Sequence, residues 1–332
     1  MNDRIQMTEL IMGFQPAQVV AVVAELGIAD LVAREPMTAE QLGAATHTDS
    51  RLLFRLLRYM ASLGIFQADE KNRFSLTPKA SLLRSDAEGS MRSMARIMGR
   101  LAPPTVGRLL EGLRMGKCPL EVAFGKSAFE YLSERPEDAA LFDAAMTGFH
   151  GPETDAVLDV YDLNGIAVLA DIGCGIGTAL LTTLKRYPAL RGLFFDQAHV
   201  IERARPAIQA ADVTGRCDLV AGNFFESVPG GADAYFLRHI IHDWTDDLSV
   251  RILRNIRRAM PQTSRVLIVE TIIPEGNDPH PAKNFDIAMM LFPNGMERTE
   301  KEYSALLKPA GFRISKIVPT ASPVSVIEAR PE

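Results

Sequence analysis

From Ile5 to about Met94 the apolar positions recur at helical spacing in short blocks. Leu52, Leu53, Leu56, Leu57, Met60 and Leu63 predict one apolar stripe, with Arg51, Arg55 and Arg58 on the polar side and Gly64 just past the helix end. Thr38 and Gln41 have the spacing of a capping box, which satisfies N–H groups otherwise orphaned at a helix start. Ile65-Phe66, a polar turn through Asp69 to Asn72, and Phe74-Ser75-Leu76 predict a hairpin, after which Thr77-Pro78 opens another helix. Helix, helix, hairpin is a winged-helix order. Further helices are predicted over 91–101, 106–115, 128–131 and 136–149, with Pro103-Pro104 as a break.

After Asn164 the period changes. Short apolar runs over 166–170, 192–195, 217–221, 233–237 and 265–269 alternate with helical patterns, which predicts a doubly wound α/β domain with a mostly parallel sheet. Each run ends in polar punctuation: Asp171 with glycines, Asp196, Gly222-Asn223, Arg238 through Trp244, and Glu270. Ligands of open parallel sheets bind at the carboxyl ends of the strands, so these residues are expected on one rim. The expected organisation is a helical domain over 1–100, a helical linker over 101–163 and an α/β domain over 164–332.

Charge narrows the partners. The chain of 332 residues carries 36 Lys plus Arg against 41 Asp plus Glu, a formal charge of −5, and no global attraction to nucleic acid or anionic membrane follows. The Arg side of the 52–63 helix is therefore read as a solvated face of a packing domain. Cys118, Cys174 and Cys217 show no CxxC spacing, which argues against a disulfide framework or a zinc cluster. No apolar stretch reaches spanning length, and a cytoplasmic protein is expected. The segment from Met7 to Leu31 is more apolar than a surface helix needs, which suggests packing against another subunit.

The candidate chemistry begins at LADIGCGIGT, Leu169 to Thr178. Glycines at 173, 175 and 177 let a backbone approach a ligand, with a helix N-terminus behind them. A dinucleotide fingerprint would place its third glycine at 178, where Thr stands, so NAD is disfavoured; no GKS or GKT follows for a phosphate loop. Asp196, ending the second strand, suits a ribose diol. The fourth strand end reads RHIIHDWTDD, with His242 and Asp243 as a base and its neighbour and Trp244 as an aromatic platform. His239 and His242 lack the spacing of a metal motif, and no metal is expected. Glu270 interrupts the apolar run VLIVETIIP, where an ionised carboxylate needs a partner. Glu297 precedes a capping box formed by Thr299 and Glu302.

Taken in order, DIGCGIG (171–177), FFDQAHVIERA (194–204), AGNFFESVP (221–229), LRHIIHDWTDD (237–247), VETIIP (269–274), GMERTEKEY (295–303) and the terminal GFRISKIVPTASPVSVIEA (311–329) resemble the S-adenosylmethionine-dependent small-molecule O-methyltransferases, across nearly the whole chain. The resemblance implies a winged-helix-like N-terminal domain that dimerises and does not bind DNA. It implies a Rossmann-like catalytic domain with an antiparallel last strand, and S-adenosylmethionine as cofactor with S-adenosylhomocysteine as product. Gly173 and its neighbours Asp171, Gly175 and Gly177 would meet the methionine portion and Asp196 the ribose, with Gln197, Gly222 and Phe224 also at the cofactor. Arg238 would stand where a Lys is common, and Trp244 would pack by the adenine. His242 would be the general base, Asp243 a substrate-positioning neighbour, and Glu270 with Glu297 the pair bracketing the imidazole. Asn223 departs from a usual Asp at the adenine amino group: its carbonyl still accepts, but its N–H donors need a partner. Cys174 replaces a commoner Gly. Met146, Phe149, Phe285, Met289, Met290 and Phe292 are candidate walls of an acceptor pocket. The expected reaction is methylation of a small aromatic or polyketide-like hydroxyl. The alternatives are a scaffold recruited for non-methylating chemistry and a ligand-sensing regulator.

Overall fold

In the computed structural model, which describes residues 2–332, the helix Ala39–Thr46 starts at the anticipated capping box: the Thr38 hydroxyl accepts from the Gln41 N–H, and the Gln41 side chain accepts from the Thr38 N–H. The helix Ser50–Ser62 follows, then strands β1 (Phe66–Ala68) and β2 (Phe74–Leu76), paired antiparallel. Leu53, Leu57, Met60, Phe66 and Phe74 pack in one cluster with Val23, Ile28 and Leu42. The apolar stripe is narrower than expected: Leu52 is exposed, and Leu63, the residue capping the helix, is also largely open. Ile5, Met7, Leu10, Ile11 and Phe14, on the helices Asp3–Ile11 and Phe14–Glu25, are exposed as well.

The sheet that carries the polar strand ends contains β3 (Val168–Ile172), β4 (Arg191–Asp196), β5 (Cys217–Ala221), β6 (Ala234–Arg238), β7 (Arg265–Thr271), β8 (Phe312–Pro319) and β9 (Val324–Pro331), in the order β5-β4-β3-β6-β7-β9-β8. β3 to β7 pair in parallel, while β9 runs antiparallel to both β7 and β8. Successive residues feed opposite faces: Leu169, Phe194, Phe236 and Leu267 enter one core, and Ala170, Phe195, Tyr235 and Ile268 the other. Burial on both faces is why these strands read as continuous apolar runs. β3 lies between β4 and β6, so the chain order reverses there and opens a crevice at the carboxyl ends of the strands.

The chain divides into two units: Met1–Pro104 with Leu132–His150, and Thr105–Tyr131 with Gly151–Glu332. The stretch 101–163, expected as a separate linker, is shared between them. Pro103 and Pro104, expected as a break, lie inside the helix Arg92–Val106; proline φ is helix-compatible, and these residues sit in the last turn, where the helix ends soon afterwards. The helix Pro136–Val160 likewise runs through Pro152. Glu153 and Thr154, directly after it, are tied by side-chain hydrogen bonds to His239 and Arg238, and these contacts outweigh the local stop signal. No single helix among the described residues is long and apolar enough to cross a membrane.

Candidate active site

The Gly-rich turn is fixed by β4. Gly173 and Cys174 donate their N–H groups to the Phe195 carbonyl, and Gly175 donates to Asp196 Oδ2 at 2.9 Å. Gly173 has φ +78°, and a Cβ there would lie 2.4 Å from Ile240 Cδ1, so a side chain would be strained by the backbone conformation and would force Ile240 to shift. A Cβ on Gly175, by contrast, would meet nothing within 4 Å. Gly177 directly precedes the helix Thr178–Arg186.

Asp196 accepts from Gly175 and, through Oδ1, from the N–H of Gln197, which caps the helix Ala198–Ala210. Burial raises the Asp196 carboxyl, against the pull of those two N–H donors. Gly222 donates its N–H to the Asp196 carbonyl at 2.9 Å. Asp171 is buried, and its Oδ2 has no hydrogen-bond partner. Burial pushes its carboxyl up to about 7, opposed by the charge of Arg238 and assisted by that of Asp196. Burial also lowers Arg238, whose guanidinium donates to Thr154 Oγ1 at 2.7 Å.

Two expected adenine neighbours are engaged locally. Asn223 Oδ1 accepts from the Phe225 N–H at 3.0 Å, and its amide donates to Glu226 at 3.2 Å, which supplies the partner its donor end needed. Trp244 stacks on Phe129 at 5.5 Å and meets Phe224 and Phe225 edge-on.

The 3-10 turn Ile241–Asp243 presents His242. Its Nδ1 lies 2.8 Å from Glu297 Oε1, and both residues are buried. A carboxylate at that distance holds a proton on Nδ1, so Nε2 is the nitrogen that gains or loses the second proton and is the acceptor in the neutral imidazole. Nε2 lies 3.7 Å from Asp243 Oδ1. Burial is the largest single influence on His242 and opposes its charge. The Glu297 hydrogen bond, with the charges of Asp243, Glu270 and Glu297, outweighs it and raises the imidazole to about 10. Burial raises Asp243 to about 7 against the His242 charge.

Glu270 is placed differently from the bracketing role the resemblance implied. Its Oε1 accepts from the backbone N–H groups of Ile240 (3.1 Å) and His242 (3.0 Å), and its Oε2 accepts from the Tyr303 hydroxyl. It holds the turn's backbone, and Glu297 alone bonds the ring. The cause is topological: Glu270 lies in β7, next to β6, whose end becomes the turn, whereas Glu297 arrives on a separate segment. That segment fits because residue 295 is Gly. A Cβ there would lie 1.8 Å from the His242 carbonyl, which accepts from the Met296 N–H at 2.8 Å.

Several positioning groups were not singled out from the sequence. Tyr303 holds Glu270, and Asp286 accepts from the Glu297 N–H at 3.0 Å. His239 adopts φ +54°, and its Nε2 lies 2.7 Å from buried Glu153. Tyr303 lies inside the GMERTEKEY motif, so its position was a usable signal; Asp286 and Glu153 carried none. Phe285, Met289 and Met290 sit half-buried on the helix Pro281–Leu291, with Phe292 capping it. Met146 and Phe149 belong to the other unit and are half-buried there.

The crevice residues fit S-adenosylmethionine. Asp171 offers an unpaired buried carboxylate oxygen to a cationic ammonium, the open face of Gly175 is a cradle that a Cβ would fill, and Asp196 retains lone pairs for a ribose diol.

Comparison with known proteins identifies the family. The family model of the O-methyltransferase domain matches residues 107–313, and that of the O-methyltransferase dimerisation domain matches residues 8–86. A phenazine O-methyltransferase of Lysobacter antibioticus is 40% identical over 97% of this chain and 95% of its own. The mitomycin biosynthesis 6-O-methyltransferase of Streptomyces lavendulae is 34% identical over 97% and 93%. The solved structure of the calicheamicin-biosynthesis methyltransferase CalO1, in its S-adenosylhomocysteine-bound form, has a TM-score of 0.87 and 34% identity, with all of both chains covered. The chain belongs to the O-methyltransferase family, and it is an S-adenosylmethionine-dependent enzyme with a dimerisation domain ahead of its catalytic domain.

Proposed function

We propose that the enzyme methylates a phenolic hydroxyl of a small aromatic acceptor, of phenazine or polyketide-like type, with His242 as general base, and that it works as a homodimer. The observation that carries the reading is the buried bond between His242 Nδ1 and Glu297, which leaves Nε2 available to a hydroxyl. The phenazine class is supported by the relative at 40% identity, and the dimer by the dimerisation domain and the exposed apolar residues of the first two helices.

Asp171, Gly175 and Asp196 would hold S-adenosylmethionine, which would supply a methyl group on a cationic sulfur. The protein's own task is to move a proton and hold geometry. A phenol has an ordinary pKa of about 10, and the Glu297 bond with the neighbouring carboxylates raises the proton affinity of His242 against its burial. The neutral imidazole, its Nδ1–H held by Glu297, is the form whose Nε2 takes the hydroxyl proton as the methyl arrives. Glu297 then stabilises the imidazolium, and Glu270 keeps the turn from yielding as the ring gains charge. Orientation of the acceptor oxygen supplies much of the remaining rate.

The test is incubation with S-adenosylmethionine and a panel of hydroxylated phenazines, naphthoates and benzoates, read by mass spectrometry. One added methylene mass with stoichiometric S-adenosylhomocysteine is expected. A protein that binds the cofactor yet methylates nothing in the panel overturns the acceptor class, and a monomer in sedimentation overturns the dimer.

A further inference from the structure

Arg298 is the largest fully buried side chain of the molecule's described residues, with 1% of its side chain exposed. A buried guanidinium is costly unless each donor is met. Here all five N–H groups are engaged. Nε donates to Asp246 Oδ1 at 3.0 Å, and Nη2 donates to the same oxygen at 2.8 Å and to the Trp244 carbonyl at 2.9 Å. Nη1 donates to the carbonyls of Ile241 (3.2 Å) and Met296 (3.3 Å).

The carbonyls of Ile241 and Trp244 flank His242-Asp243, so one planar group grips both ends of the turn that carries the base. Met296 precedes Glu297, so the same group also ties down the segment that brings in the carboxylate. The backbone of Arg298 is fixed independently, because its carbonyl accepts from the Ile273 N–H at 3.0 Å, just beyond β7. Buried Ser249 adds weaker bonds to the same two turn carbonyls, at 3.2 and 3.4 Å.

We propose that Arg298 is a positioning residue for methyl transfer, whose guanidinium, anchored by Asp246, locks the His242 turn to the Glu297 segment and so sets the Nδ1–Glu297 bond. The assignment rests on His242 as the base. The fork geometry is essential to it. A lysine ammonium is a point donor and cannot span two turn carbonyls, the Met296 carbonyl and a carboxylate together. Asp246 is the solvent end of the clamp, its side chain 67% exposed, and can be altered without opening a cavity.

The experiment compares the full-length enzyme with its Arg298→Lys, Asp246→Asn and His242→Ala variants. Turnover is measured with a hydroxylated acceptor that the enzyme methylates, cofactor affinity by calorimetry, and the low-field Nδ1 proton of His242 by NMR of histidine-labelled protein. Arg298→Lys is expected to lower kcat about 10- to 100-fold, change acceptor KM and cofactor affinity less than about threefold, and broaden or shift the low-field signal. Asp246→Asn is expected to move the same observables in the same direction by a smaller factor, and it carries the test if Arg298→Lys does not fold. An intact low-field signal and kcat within about twofold in both variants overturns the positioning role. Equal losses in kcat and cofactor affinity also overturn it, since they mark general damage. Full turnover by His242→Ala instead overturns the base assignment, while the NMR signal still reports whether Arg298 sets the ring.

Discussion

His242 Nδ1 and Glu297 Oε1 lie 2.8 Å apart, joined across 55 residues of sequence, with side chains only 8% and 2% exposed. Against burial, which opposes the charge, the bond and the charges of Asp243, Glu270 and Glu297 raise the imidazole to about 10 from an ordinary 6.5. A group raised in this way contributes stability in full below pH 6.5, and the contribution is lost as pH rises through about 10. Asp171 and Asp243, raised to about 7, lose theirs at lower pH, so the decline above pH 8 belongs mainly to His242 among these three. Glu297→Gln is expected to flatten that decline in thermal unfolding and to bring the His242 titration, followed by NMR, back toward the ordinary range. An unmoved titration would contradict the pairing.

Tyr303 donates to Glu270, which in turn accepts from the Ile240 and His242 N–H groups. Tyr303→Phe leaves a buried carboxylate oxygen without that donor. The expected cost is about 1–3 kcal/mol in unfolding free energy, with kcat down severalfold and cofactor affinity unchanged. Wild-type stability in denaturant titration would show that the hydroxyl is dispensable.

Asp171 burdens the fold of the free protein, because its Oδ2 is buried and unpaired. Asp171→Asn removes the charge. It is expected to leave the cofactor-free protein as stable or slightly more so, and to weaken S-adenosylmethionine binding at least tenfold, about 1.4 kcal/mol. Calorimetry beside thermal unfolding separates the two effects; unchanged affinity would remove Asp171 from the cofactor site.

Glu328, in β9, supports the sheet edge rather than the chemistry. Its carboxylate accepts from the Tyr161 hydroxyl, from Ser315 at 2.8 Å and from Arg330 at 2.9 Å. Burial opposes its charge, but those bonds prevail and lower its pKa to about 2. Such a group stabilises the fold above pH 4.5, the ordinary value, and the benefit fades as pH falls toward 2. Glu328→Gln is expected to cost roughly 2 kcal/mol near pH 7 and very little near pH 2. An equal cost at both pH values would assign the effect to packing.

The parts legible in the sequence were those with a local signature. The capping boxes at Thr38 and Thr299, the hairpin, the glycines of LADIGCGIGT and the polar strand ends stand where the pattern placed them. Pro103 and Pro104 misled, because they sit in the last turn of the helix Arg92–Val106 rather than breaking it, and the helix expected over 136–149 runs on through Pro152 to Val160, where Glu153 and Thr154 bond residues more than eighty positions away. Glu270 was recognisable as a carboxylate needing partners, but not which ones: backbone N–H groups leave no mark in a sequence. Arg298 was masked in a different way. It sits beside a recognised glutamate in a charged stretch, and only the chain's return past Ile241 and Trp244 shows that its donors point inward.

The most direct measurement of the central claim is single-turnover methyl transfer by His242→Ala, set beside its S-adenosylmethionine affinity. Retained cofactor binding with transfer slowed at least 100-fold, within the range for losing a general base, is the predicted result. Transfer at the wild-type rate would contradict it.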